Sequence, residues 1–119
     1  MPTSPPDFGP RTFEFACAIV RLYLALIDIP RFPFRVANQL LDAGTSIGAN
    51  IEEGRAPSSR KGLANHFKIA LREARECKYW LRVLRATNLA PAHLTKDLLQ
   101  EADELVAILT VSVRNLGNG

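Results

Sequence analysis

Hydrophobic positions between residues 59 and 87 recur at alternating steps of four and three. Leu63, Phe67, Ala70, Ala74, Cys77, Leu81 and Leu84 therefore share one face of a long α-helix. A second series with the same steps lies two residues earlier: Lys61, Asn65, Lys68, Arg72, Arg75, Tyr79 and Arg82. At about 100° per residue, a two-residue offset turns this polar series about 200° away from the apolar one. The pattern predicts a helix with one buried face and one wet, basic face.

The same periodicity predicts three further helices. Phe13, Ala16, Val20, Tyr23 and Ile27 form one stripe of a first helix reaching about Asp28. Phe15, Ile19, Leu22 and Leu26 form a second stripe beside it, so the apolar arc is wide enough to meet more than one neighbour. Ile29-Pro30-Arg31-Phe32-Pro33 ends that helix, because proline disfavours α geometry in the residue before it. A second helix is expected from about Phe34 to Glu53, with Leu40, Gly44, Ile47 and Ile51 inward. Gly44 and Gly48 cost a helix about 1 kcal/mol each relative to alanine, and close approach by a neighbouring backbone is the expected compensation. Gly54 is placed to stop this helix in the left-handed conformation, and Ser58 or Ser59 to cap the third. Asn88-Leu89-Ala90-Pro91 breaks the third helix. A fourth is expected from an N-cap at Thr95 to about Asn115, with Leu98, Ala102, Leu105, Leu109, Ser112 and Leu116 inward.

Nothing alternates with the period of a strand. The expected fold is all-α: an antiparallel up-down-up-down four-helix bundle over residues 11–116, preceded by a disordered Pro-rich arm at 1–10. With 47% hydrophobic and 23% charged residues, the composition is that of a soluble globular domain. No signal-peptide pattern or apolar run of membrane-spanning length is present, so a cytoplasmic protein with no membrane partner is expected. Cys17 and Cys77 match no metal or redox spacing and read as two reduced core thiols.

Charge is unevenly placed. Residues 55–85 hold nine Arg or Lys against Glu73 and Glu76, while the segments on either side are both net acidic. A basic face suits an anionic partner, or the acidic stripe of Asp97, Glu101 and Glu104 on the fourth helix. Lys61, Lys68, Arg72, Arg75, Lys78 and Arg82 are the candidate nucleic-acid-binding residues, with Tyr79 as a stacking group and Arg85 broadening the stripe.

The string Gln39-Leu40-Leu41 … Thr45-Ser46-Ile47-Gly48-Ala49-Asn50-Ile51-Glu52-Glu53-Gly54 resembles a signature, Q-L…S-I-x-x-N-I-x-E-G. It belongs to the bacterial four-helix-bundle family named for proteins encoded in intervening sequences of large-subunit ribosomal RNA genes. Ile69 to Leu81 is similar to that family's A-x-x-S/E-x-x-E segment and its following aromatic, with Glu73 where one branch has serine. The resemblance runs from about Phe32 into the fourth helix. It implies a bundle that assembles as a homopentameric ring, with no known enzymatic activity. It also implies kinship with the accessory variability protein of diversity-generating retroelements, a basic barrel that binds nucleic acid and a reverse transcriptase.

Candidate chemistry is sparse. Gln39, Ser46, Asn50, Glu53, Glu73, Glu76 and Trp80 read as a structural polar network or subunit interface, with Arg35 and Arg55 as candidate partners for the carboxylates. Neither His66 nor His93 completes the Glu-x-x-His pair of a di-iron bundle, and His66 reads as a surface residue. No nucleophile, base and orienting group assemble, so no catalytic residues, metal or cofactor are expected. Two functions remain open at this point. One is an oligomeric scaffold that binds RNA or DNA through the basic stripe; the other is a protein–protein assembly module with no nucleic-acid role.

Overall fold

The computed structural model describes residues 7–56 and 59–118, so residues 1–6 of the expected Pro-rich arm, and Pro57 and Ser58, lie outside the described residues. Four α-helices follow one another: α1 (Gly9–Ile27), α2 (Phe34–Arg55), α3 (Arg60–Thr87) and α4 (Ala92–Asn118). Each packs on its sequence neighbour in an up-down bundle with a long axis of 53 Å, and α1 meets α4 only slightly.

The helix ends follow local chemistry, with three departures from expectation. α1 starts at Gly9 rather than residue 11: Pro10 needs no donor in a first turn, and the Asp7 carboxylate accepts from the Gly9 amide at 2.9 Å. α4 starts at Ala92, so Thr95 is not its N-cap. It lies in the first turn, buried, with its hydroxyl donating to the Ala92 carbonyl at 3.4 Å. Ser59 does cap α3, accepting from the Gly62 amide at 3.0 Å, and Asn88 closes α3 in the left-handed conformation.

Gly54 is the third departure. α2 continues through it to Arg55, and no described glycine has positive φ. Gly54 is buried, and a Cβ there would stand 2.8 Å from His66 Cβ on α3. Its role is close packing rather than stopping the helix. Gly44 and Gly48 pack closely against α1, where the expected backbone approach occurs at Gly48 and a side chain fills the space at Gly44. A Cβ on Gly44 would lie 2.7 Å from Ile19 Cγ1, and one on Gly48 would lie 3.1 Å from the Thr12 carbonyl oxygen. One helix thus offers two bare faces, to α1 on one side and α3 on the other.

The core is built from the expected seams. Phe67, Ala70, Ala74, Cys77, Leu81 and Leu84 of α3 are fully enclosed, as are Ile19 and Leu26 of α1 and Leu105 and Leu109 of α4. Burial among apolar side chains, with Glu76 and Glu73 nearby, pushes the Cys77 thiol up to about 12. Cys17 is half-buried rather than a core residue. On α1 the stripe of Phe15, Ile19, Leu22 and Leu26 is covered, whereas the other is split: Tyr23 and Ile27 pack on the core and its outer members do not. Phe13 is 56% and Val20 41% exposed, and Leu24, a further turn along, is 58% exposed.

Two stability predictions follow from this geometry. Gly44→Ala gains helix propensity but drives a methyl into the β-branched Ile19, and a net loss of about 1–3 kcal/mol in urea unfolding is expected. Arg31 adopts φ 65° in the α1–α2 turn beside Pro30, where a side chain is strained. Arg31→Gly should raise stability by about 0.5–1 kcal/mol, read from the same unfolding curves.

Candidate nucleic-acid interface

The packing of α3 determines where its charges point. Phe67, Ala74 and Leu81 are held against α2 and α4, so the opposite face turns to solvent. Lys61, Lys68, Arg72, Arg75 and Arg82 are all exposed, and so is Tyr79 between them. Arg72 has one weak contact, 3.9 Å to Glu73 on the same helix. Lys78 is different. It is half-buried at the α4 edge and donates to Asp103 at 2.6 Å.

The acidic stripe of α4 does not neutralise this face. Glu101 is gripped by Arg11 of α1 through two bonds of 2.7 and 2.9 Å, and Arg11 also reaches Glu104 at 3.0 Å. These contacts raise the Arg11 pKa above its ordinary value, the hydrogen bond to Glu101 contributing most. The clamp ties α1 to α4 where their contact is slight, and it holds Glu101 and Glu104 toward α1.

The residues expected to form a polar network divide into two groups. Ser46 Oγ donates to the Asp42 carbonyl at 2.6 Å, and Asn50 donates to the Ser46 carbonyl at 2.9 Å. Asn50 Oδ1 lies 3.2 Å from His66 Nδ1, so His66 is a half-buried cross-helix partner, not the surface residue expected. Sequence spacing offered no cue to this pairing, since it depends on how near Gly54 lets α3 approach.

On the outer flank of the α2–α3 seam, Trp80 packs on the core with its indole N–H 3.5 Å from Glu76 and its ring edge-on to Tyr79. Glu73 is half-buried nearby. Desolvation, with the charges of Glu76 and Asp42, raises its pKa, and Arg72 only partly offsets this. Gln39 is half-buried, while Glu53 and Arg35 are exposed. Arg55 is engaged within the chain, 3.8 Å from Asp7 and over the Phe67 ring at 5.8 Å. Glu53, Glu73 and Glu76 do not converge, and among the described residues no cluster of His, Cys, Asp or Glu is arranged to hold a metal ion.

Comparison with known proteins agrees with this architecture. Residues 10–111 match the model of the 23S rRNA-intervening sequence protein family. The chain belongs to that family. A crystal structure of a protein of unknown function from the S23 ribosomal protein family of Bacteroides thetaiotaomicron is similar to it. The two chains are 34% identical, the alignment covers 89% of this chain and 97% of that one, and the TM-score is 0.81. No curated protein matches. For this member of the intervening-sequence family, no helix among the described residues is long and apolar enough to cross a membrane.

Glu73 gives a pH test of the α2–α3 flank. A carboxylate with a raised folded pKa favours folding below its unfolded pKa, and that contribution is lost as pH rises through the folded value. Glu73→Gln should therefore be more stable than wild type near neutral pH, with the difference vanishing in acid. A Glu73→Gln protein less stable at neutral pH would show that cations, Arg72 or one from a neighbouring copy, outweigh the cost of burying the carboxylate.

Proposed function

We propose that this chain is a non-catalytic, self-assembling four-helix-bundle scaffold in the cytoplasm that binds nucleic acid through the solvent face of α3. The observation that carries this reading is the exposure of Lys61, Lys68, Arg72, Arg75 and Arg82 along one face, while Arg11 occupies Glu101 and Glu104. Like charges aligned on a rigid rod raise the local potential for a polyanion, and Lys and Arg contacts to phosphates release counterions. Tyr79 adds a surface on which a base can stack. Phosphate contact of this kind carries affinity without sequence choice, so RNA and DNA are both ligands on this reading.

Self-assembly draws on a different surface. Phe13, Val20 and Leu24 step by seven and four along α1 and stay exposed, and Phe34 at the start of α2 is 64% exposed. A contiguous apolar strip of this sort marks a protein contact, and family resemblance makes a homopentamer the expected assembly. A ring would repeat the basic face of α3 around one surface and multiply its field. The second reading, an assembly module whose ligand is another protein, is favoured by the same strip together with the half-buried Trp80.

Titration of labelled single- and double-stranded RNA and DNA at two salt concentrations separates the readings. Binding that weakens steeply with salt is expected, and a variant with Lys61, Lys68, Arg72 and Arg75 replaced by Ala should bind more weakly. Each lost contact should flatten the log–log salt slope by about 0.7 for a single strand. Absence of binding at low salt would leave the assembly module. Light scattering tests the other half: Val20→Lys with Leu24→Lys is expected to reduce the particle mass, and a monomeric wild type would remove self-assembly altogether.

A further inference from the structure

A groove of about 440 Å³ runs between the C-terminal half of α3 and the N-terminal half of α4. Its walls carry Lys78, Arg82 and Arg85 from α3 and Lys96 from α4, with Leu99 as apolar floor and Asp103 as the lining carboxylate. The Lys78–Asp103 contact marks the register of the two helices. Two heptad-related positions follow from it: seven residues forward on α3 is Arg85, and seven back on antiparallel α4 is Lys96. One end of the seam therefore closes with an ion pair. At the other, Arg85 and Lys96 line the same groove from opposite helices, and among the described residues Asp103 is its one lining carboxylate.

Facing cations repel, and the repulsion grows where an apolar floor such as Leu99 excludes water. An anion between them reverses the sign of the interaction. Arginine offers a planar fork that matches two phosphate oxygens, and lysine supplies a point charge. Lys96 also stands in the opening turns of α4, near the positive end of that helix's dipole. The geometry points to this groove as the principal seat of the nucleic-acid backbone, with a phosphodiester held between Arg85 and Lys96, Arg82 beside it, and the rest of the basic face of α3 guiding the strand. This inference rests on the nucleic-acid reading above and goes beyond it in naming Arg85, Lys96 and the restraining role of Asp103.

Asp103 repels a bound phosphate and holds Lys78 away from it, so the groove is restrained at that end. Removing the carboxylate should strengthen binding, the opposite of what loss of a purely structural ion pair would do.

The test compares the full chain with Arg85→Ala/Lys96→Ala, Lys61→Ala/Lys68→Ala and Asp103→Asn. Each is titrated with a labelled single-stranded RNA at two salt concentrations, and thermal melts monitor the fold. The groove variant should lose about ten-fold in affinity at low salt, and its salt slope should fall by about 1.4. The Lys61/Lys68 variant, with the same change of charge, should lose distinctly less. Asp103→Asn should bind about two- to five-fold more tightly. Equal losses from the two double variants, or weaker binding by Asp103→Asn, would overturn the groove assignment while leaving nucleic-acid binding by α3 intact. If the wild-type chain binds no RNA at low salt, both fall together.

Discussion

The closeness of α2 to both of its neighbours is the constraint on which the remaining geometry depends. Gly44 and Gly48 admit Ile19 and the Thr12 backbone of α1, and Gly54 admits the side chain of His66 on α3. Glycine within a helix is locally unfavourable, so these contacts must return more in dispersion and burial than the helix loses in propensity. Because each glycine meets a particular partner atom, the contacts fix rotation and register as well as distance. That rotation sends one apolar stripe of α1 inward and leaves Phe13, Val20 and Leu24 outside. On the other side it turns the Lys and Arg stripe of α3 fully to solvent.

Charge is arranged on top of this frame by two ion-pair systems at its edges. Arg11 draws Glu101 and Glu104 toward α1, across the seam where helix contact is weakest. Lys78 and Asp103 pin α3 to α4 on the far side. With Glu101 and Glu104 held by Arg11, and Asp103 by Lys78, much of the positive charge of residues 55–85 stays unmatched within the chain. The acidic neighbour that sequence pattern offered as a sink for the basic stripe is oriented elsewhere. Apolar surface thus lies on one flank of the bundle and cations on another, and the proposed contacts with copies of the chain and with polyanions rest on these two surfaces.

Most of the bundle was legible from periodicity, because a 3.6-residue repeat in a long segment admits few other interpretations. The α3 seam from Phe67 to Leu84, the break at Asn88, a serine cap at 58 or 59 and the backbone approach at Gly48 all appear in the residues themselves. The errors fell where two physical roles share one residue type. Gly54 near a helix end suits a left-handed stop as well as it suits a tight packing contact, and Thr95 suits a cap as well as a buried first-turn position. Local sequence does not choose between such roles, since the choice depends on what lies across the seam. His66 belongs with these, its partner Asn50 being sixteen residues away on another helix.

The candidate site shows the same division. Sequence alone determined that α3 would be amphipathic, with cations and Tyr79 opposite its apolar face, because helical periodicity places side chains around one axis regardless of surroundings. Tertiary structure alone decided which of those cations remained accessible, since that depends on the competing carboxylates and their register. It left Lys68 and Arg75 in solvent, gave Lys78 to Asp103, and set Arg85 and Lys96 on the walls of one groove. Periodicity acts within one helix, whereas opposition of charges is a property of two, and only packing brings the two together.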